Sequence, residues 1–144
     1  MRWLIALILY SLLPVQSAWS EEIALRIGAH RIRATVAHTP YSRERGLMHH
    51  TRLCENCGML FVFPSAGKYA FWMKNTPLPL SIAFIAANGR ILNIDEMQAN
   101  SLEPHTAHGE ILYALEMQQN WFSRHEISAG DRVTGLQRAP EANK

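Results

Sequence analysis

The dipeptide Asn88-Gly89, set between two apolar runs, constrains the fold of this chain more than any other feature. A two-residue hairpin turn needs positive φ at both central residues, and asparagine and glycine adopt that conformation at low cost. Residues 80–87 and 90–97 are therefore predicted to form an antiparallel hairpin. Both of its faces are apolar, so we expect both strands to be central in a sheet. The expected faces are Ala83, Ile85 and Ala87 with Leu92 and Ile94, and Ile82, Phe84 and Ala86 with Ile91, Asn93 and Asp95.

Other short runs of alternating or aromatic-rich composition also predict strands. They cover residues 23–36 as a hairpin, then 58–64, 69–74, 111–117 and 132–136. A short polar connection separates 58–64 from 69–74, so we expect these two strands to pair with each other as a further hairpin.

Two short helices complete the predicted elements. Thr39 can cap a helix and Pro40 is tolerated in its first turn, which predicts a helix over residues 41–48. Asn120 can cap a second helix over residues 121–125. Because no long helices alternate with the strands, the predicted fold class is mainly β. We expect a compact antiparallel β-sandwich or a partly open barrel of about six to seven strands with two short helices.

The first twenty residues have the features of a secretory signal peptide. Arg2 precedes an apolar run over residues 4–13, which is shorter than the ~20 residues that a membrane helix needs. The sequence Ala18-Trp19-Ser20 supplies the small residues of a cleavage site, after Ala18 or Ser20. We therefore expect an exported protein, periplasmic or secreted, without stable membrane insertion once the signal is removed.

Domain boundaries follow from this signal. Removing 20 of the 144 residues leaves 124, enough for one domain with a hydrophobic core but not for two. We assign residues 1–20 to the signal peptide, 21–137 to a single β-rich domain and 138–144 to a flexible tail. The net charge of +2 includes Arg2, and the other charges are scattered. The expected partner is therefore an unknown small molecule or an exported protein, and not nucleic acid.

Residues 69–80 concentrate aromatic, cationic and amide side chains in one stretch. Side chains alternate along a strand, so Trp72 and Lys74 are expected on one face, and the side chains of their neighbours on the other. One interpretation is a core strand with a polar end. The other is the rim of a pocket, in which Trp72 is a platform and Lys74 and Asn75 are anchors.

Glu116 lies between two apolar residues of a predicted strand. It is expected either on the face opposite the apolar one or buried against a basic partner, for which Arg45 and Lys74 are the candidates. A structural ion pair and a catalytic carboxylate both fit this pattern. Further acid or base candidates are Asp95, Glu96 and His125. The predicted binding residues are Arg45, Trp72, Lys74, Asn75 and Glu116.

The spacing of Cys54 and Cys57 gives a CxxC motif. In an oxidising compartment the pair is expected to form a disulfide that closes a very short loop. A catalytic thiol pair normally opens a helix in a thioredoxin-like βαβ setting, and no such helix is predicted here.

A metal site is the alternative for these cysteines. His50, Cys54 and Cys57 together could ligate copper or zinc, and His49, His105 and His108 add imidazoles elsewhere. One CxxC is half of the usual zinc pattern. We therefore expect no cofactor, with copper or zinc as the alternative.

Several blocks of the chain, in order, resemble the domain of unknown function 192 family. They are RGLM at 45–48, GMLFVFP at 58–64, FWMKNT at 71–76, PLSIAFI at 79–85 and YALE at 113–116, followed by Trp121-Phe122. The resemblance covers about residues 35–136. It implies a compact β-rich fold, often exported in bacteria, without an established activity. Ser81 stands where members often have an aspartate, and the loop at Asn100-Ser101 lacks a cysteine that some members carry.

No phosphate loop, dinucleotide fingerprint or Gly-x-Ser-x-Gly motif is present in the sequence. The favoured interpretation is an exported module that binds a small ligand or a partner around Trp72, Lys74 and Glu116. The alternatives are a periplasmic protein that handles copper or zinc, and an enzyme of unrecognised type. A cleft in which Arg45, Lys74 and Glu116 converge would favour binding or catalysis.

Overall fold

A computed structural model describes residues 21–144, so the predicted signal peptide lies outside the described residues. This part of the chain forms nine strands and two short α-helices. The strands are β1 Glu22–Ile27, β2 His30–Ala37, β3 Cys57–Gly67, β4 Ala70–Phe71, β5 Leu80–Ile85, β6 Ile91–Met97, β7 His105–Thr106, β8 Ile111–Gln118 and β9 Val133–Thr134. The helices are α1 Pro40–Arg45 and α2 Trp121–Arg124. Within residues 21–144 no helix has the length and apolar character needed to cross a membrane.

Seven of the strands form one curled, half-barrel sheet in the order β6-β5-β8-β3-β2-β1-β9. The strands β4 and β7 form a separate two-stranded sheet. The mainly β class and the partly open barrel are thus confirmed. One pairing departs from the antiparallel prediction, because β2 and β3 run parallel.

The parallel pair is possible because a long connection containing α1 joins β2 to β3. Thr39 caps this helix as predicted: its hydroxyl accepts the Ser42 backbone N–H at 3.1 Å. The helix ends at Arg45 and not at residue 48, because Gly46 takes φ 46°. A Cβ at Gly46 would lie 3.2 Å from the Phe61 ring, so glycine permits the close approach of the loop to β3.

The predicted hairpin between residues 58–64 and 69–74 is wrong. Both edges of β3 are occupied, one by β2 and the other by β8. The chain folds back beside β3 through side chains instead, because Tyr69 stacks on Phe63 with ring centroids 3.7 Å apart. The backbone ladder of the returning segment is made with β7.

The hairpin forms at the predicted place, with Ala83 opposite Ile94. The predicted two-residue turn is wrong, because Gly89 has φ 85° but Asn88 does not have a positive φ. The Ala86 N–H donates to the Arg90 carbonyl at 2.9 Å, which closes a loop over residues 87–89 instead.

A register shift between Phe84 and Ile85 places Ile85 opposite Ile91. The β-bulge exchanges the faces predicted for Ile91 and Leu92. The prediction that both strands are central is wrong for β6, which forms one edge of the sheet.

The C-terminal elements are shorter than predicted. Asn120 precedes α2 in a left-handed conformation, φ 63°, and its side chain makes no capping hydrogen bond. The last strand is followed by a 3-10 turn over Leu136–Arg138. The backbone of Asn143 then bonds to His38 and Arg43. The mobility expected of residues 138–144 stays a prediction.

The curled sheet is covered on both faces. On β3, Leu60 and Val62 belong to a first apolar cluster, whereas Met59 and Phe61 belong to a second cluster on the opposite face. The first cluster includes the helix α2. The second packs against Phe71 of the small sheet, and the candidate site lies on this side.

Candidate functional site

A cavity of about 190 Å³ opens between α1, β3, β4 and β8. We call it the Glu116 cavity. Four of the five predicted binding residues line it: Arg45, Trp72, Lys74 and Glu116. The fifth, Asn75, lines an adjoining depression with Arg45 and Lys74. The remaining lining residues are Arg43, Glu44, Gly46, Leu47, Met48, Phe61, Phe63, Ala70, Phe71 and Thr76.

Glu116 owes its position to the sheet register. It stands opposite Met59 of β3 and opposite Ile82 of β5, and both of those residues belong to the second apolar cluster. Only 4% of the residue remains exposed. Burial raises the pKa of the Glu116 carboxyl from 4.5 to about 8, with no second cause. The group is therefore mostly protonated at neutral pH.

The ion pair predicted for Glu116 is wrong. Across residues 21–144, neither Arg45 nor Lys74 lies within ion-pair distance of its carboxyl. No side-chain hydrogen bond to this carboxyl occurs in that range either. The cavity thus has an uncharged carboxyl on its inner wall that is available to a bound molecule.

Aromatic rings form much of the cavity wall. The Phe61 and Phe71 rings are 5.0 Å apart and nearly perpendicular, and Phe71 contacts Phe84 in a similar way at 5.8 Å. These edge-to-face contacts fix the rings in place. We did not predict the phenylalanines as site residues, although the aromatic run at 61–63 was a signal for them.

Trp72 and Lys74 lie on the same side of the chain, as the alternation predicted. The Lys74 Nζ is 5.3 Å from the centroid of the Trp72 ring, a cation–π distance. The strand is shorter than predicted, since it ends at Phe71 and Met73 donates its backbone N–H to Ser101 O at 2.9 Å. Trp72 is 51% exposed at the mouth of the cavity.

The two arginines of α1 at the cavity differ in their partners. Arg43 donates to the carbonyls of His38 at 2.7 Å and of Val62 at 3.2 Å, so it holds the helix to the sheet. Arg45 contacts only the Tyr41 hydroxyl, at 3.2 Å, among the described residues. Arg45 is therefore the arginine whose guanidinium a ligand could engage.

The other acid and base candidates do not line the Glu116 cavity. Asp95 pairs with His105 at 3.3 Å, and His125 Nδ1 lies 2.7 Å from the Trp121 carbonyl. Glu96 accepts the hydroxyl of the buried Ser81. These contacts give each group a structural partner.

Ser81 also accepts the Asn120 backbone N–H at 2.7 Å. Ser81, which stands where family members often have an aspartate, thus links β5 to the start of α2.

The two cysteines lie at disulfide distance, with their Cα atoms 5.1 Å apart. His50 lines the same groove as Cys54 and Cys57. In the part of the chain that the structure describes, however, no three metal-ligating His, Cys, Asp or Glu side chains come together. The copper or zinc alternative therefore gains no support from the arrangement of these residues.

Comparison with solved structures finds other proteins of similar fold. The structure of a proposed transcription regulator from Sinorhizobium meliloti 1021 is 32% identical, with a TM-score of 0.79, and the match covers 81% of this chain and 95% of that one. A protein of unknown function from Novosphingobium aromaticivorans DSM 12444 is 29% identical, with a TM-score of 0.78, over 82% of this chain and 88% of that one. No curated protein matches. Residues 23–135 match the model of the family described as an uncharacterised ACR. The chain belongs to the domain of unknown function 192 family.

Proposed function

We propose that this domain binds a small acidic molecule with an apolar body in the Glu116 cavity. The observation that carries the proposal is the buried Glu116 carboxyl, which faces the cavity without a partner in residues 21–144. The residue is 4% exposed, and its carboxyl faces the cavity. A molecule that fills the cavity would remove the remaining water from this carboxyl, and an unpaired buried polar group costs about 1–3 kcal/mol. The ligand must therefore supply a hydrogen-bond partner itself.

The protonated state of Glu116 defines the inner end of the ligand. A carboxylic acid donates one hydrogen bond, so the matching ligand group is an acceptor such as a carbonyl or hydroxyl oxygen. The phenylalanine walls favour an apolar body beside it. A volume of about 190 Å³ is below the roughly 300–1,000 Å³ of sites for drug-sized ligands, so the ligand is small.

The charged side chains at the mouth of the Glu116 cavity define the outer end of the ligand. Arg45 and Lys74 are exposed there, and Glu44 is the one carboxylate beside them. Because Arg43 is occupied by main-chain carbonyls, Arg45 and Lys74 are the cations that favour an anionic group. Trp72 offers a flat surface next to them. No reaction is assigned to the site.

We propose that the protein binds this ligand outside the cytoplasm, either in the periplasm or as a secreted protein. The features of residues 1–20 support that assignment.

The test uses small carboxylates that carry a carbonyl or hydroxyl group at the other end of an aromatic or branched aliphatic body, first by thermal shift and then by calorimetry. Glu116→Leu should remove binding by tenfold or more, on the order of 1.4 kcal/mol. The variant should be at least as stable as the wild type, because it replaces an unpartnered buried acid by an apolar group of similar size. Loss of binding could then not be ascribed to unfolding.

Lys74→Met probes the outer end, with Lys68→Met as the matched control. Both lysines are exposed, but Lys68 does not line the cavity. Lys74→Met should weaken binding about three- to tenfold, and Lys68→Met should leave it unchanged. If no carboxylate of the panel binds, or if Glu116→Leu binds as well as the wild type, the proposal is wrong.

A further inference from the structure

Arg33 contacts both sulfurs of the CxxC motif, at a site separate from the inner wall of the Glu116 cavity. Its Nη2 lies 3.4 Å from Cys57 Sγ and 3.7 Å from Cys54 Sγ. Glu22 Oε2 lies 3.8 Å from Arg33 Nε in an exposed ion pair. A positive charge is thus held beside a sulfur pair that would become negative on cleavage.

The two cysteines differ in access. Cys54 is exposed in the loop before β3, whereas Cys57 is partly buried as the first residue of that strand. Beside them runs a groove of about 790 Å³, whose lining includes Arg33, Arg52 and Tyr41. A segment of another chain could therefore approach Cys54 more easily than Cys57.

We propose that Cys54 and Cys57 form a thiol–disulfide exchange site that accepts electrons from dithiol substrates. A substrate thiolate attacks Cys54 Sγ, so a substrate–Cys54 disulfide forms and the Cys54–Cys57 bond breaks. The electron pair of the broken bond leaves on Cys57 Sγ, beside Arg33. The second substrate thiolate then attacks the substrate sulfur of the mixed disulfide and releases Cys54. The substrate loses two electrons and two protons, which Cys54 and Cys57 take up as two thiols.

Arg33 takes the place of a helix N-terminus in this site. In many CxxC proteins the motif opens a helix, whose N-terminal dipole stabilises the thiolate. Here the motif runs into β3, whose first residue is Cys57, and does not open a helix. The guanidinium is nearer to Cys57 than to Cys54, and stabilising the leaving thiolate speeds exchange.

The test measures reduction of the oxidised protein, residues 21–144, by dithiothreitol under native conditions. Aliquots are quenched with acid, alkylated and weighed by mass spectrometry. Arg33→Gln should slow reduction about three- to tenfold, the range expected of an exposed ion pair with an added charged hydrogen bond. Arg31→Gln is the matched control, because Arg31 is exposed on the same strand, and it should leave the rate within about twofold of the wild type.

Two results would overturn the proposal. One is a disulfide that dithiothreitol reduces only when the protein unfolds. The other is an equal rate in the wild type and Arg33→Gln.

A second measurement identifies the attacked sulfur. Cys57→Ser and Cys54→Ser each leave one thiol, whose reaction with 5,5′-dithiobis(2-nitrobenzoate) is followed by absorbance. The Cys57→Ser variant should react at least about fivefold faster, because Cys54 is the accessible sulfur. Faster reaction of the Cys54→Ser variant would contradict the order of steps.

Discussion

Glu116 on β8 stands directly opposite Met59 on β3, and this register turns an ionisable side chain toward the second apolar cluster. A carboxyl in such a place either finds a partner or becomes neutral. Glu116 becomes neutral: burial raises its pKa to about 8. The consequences can be tested without knowledge of the ligand.

Stability should fall as the pH rises from about 4.5 to about 8, with Glu116 as a main cause. In this interval the folded state keeps a proton that the unfolded state, with a pKa near 4.5, has lost. Unfolding therefore releases a proton, so raising the pH favours unfolding. The contribution reaches at most about 5 kcal/mol at pH 8 and changes no further above it. Urea unfolding at a series of pH values measures it.

Glu116→Gln separates the contribution of Glu116 to the pH dependence of stability from that of the histidines. The amide does not titrate, so the difference between the wild type and the variant should grow with pH in the variant's favour. Arg43, Glu44 and Arg45 of α1 and Lys74 are the charged groups that face the cavity. Glu44→Gln, at the exposed mouth, should keep the wild-type slope. Identical slopes for Glu116→Gln and the wild type would refute the assignment.

Gly46→Ala should destabilise the domain by about 1–3 kcal/mol, since it combines a positive φ with a close contact to Phe61. Gly28→Ala separates the two causes. Gly28 also has a positive φ, 56°, but a Cβ there would meet nothing within 4 Å. Its cost should be smaller, about 1 kcal/mol. Equal melting temperatures for the two variants would show that the Phe61 contact adds nothing to the destabilisation by Gly46→Ala.

Loss of the disulfide should lower stability only modestly. The double substitution of Cys54 and Cys57 by serine should cost about 1–2 kcal/mol, because the closed loop is very short. Denaturant unfolding of the oxidised wild type and the double variant measures this. A loss above about 4 kcal/mol would assign the bridge a larger structural role.

The mature chain should begin near Trp19 or Glu21 and should be found outside the cytoplasm. Mass spectrometry of the N-terminal peptide from exported material decides the point. An intact N-terminus in the membrane fraction would instead indicate a retained anchor.

The sequence predicted those parts of the fold that depend on local chemistry. The hairpin around Asn88-Gly89 and the Thr39 cap are set by a few adjacent residues, and both form where they were expected, although the turn takes a positive φ at Gly89 and not at Asn88. Pairing between distant strands has no such local signal. The long connection through α1 brings β2 beside β3, and this displaces the expected partner at residues 69–74.

In the candidate site too, features that depend on adjacent residues were predicted, and features that depend on distant strands were not. Period-two alternation placed Trp72 and Lys74 on one side. The ion pair expected of Glu116 failed because the strand register, which the sequence does not reveal, directs its side chain among apolar neighbours and away from the cations. The Arg33 contact with the cysteines depends on the β2–β3 pairing, in which Arg33 stands opposite Cys57. It was therefore not foreseen either.

The titration of Glu116 itself tests most directly whether its carboxyl is neutral and free to bind a ligand. The ¹³C chemical shift of its side-chain carboxyl can be followed by NMR from pH 4 to pH 10, with Glu116→Gln to assign the resonance. A midpoint near pH 8 is expected, because the buried carboxyl is without a partner in residues 21–144. A midpoint near the ordinary value of 4.5 would mean that the group is charged and solvated or paired, and would contradict the neutral, ligand-ready carboxyl on which the proposed function rests.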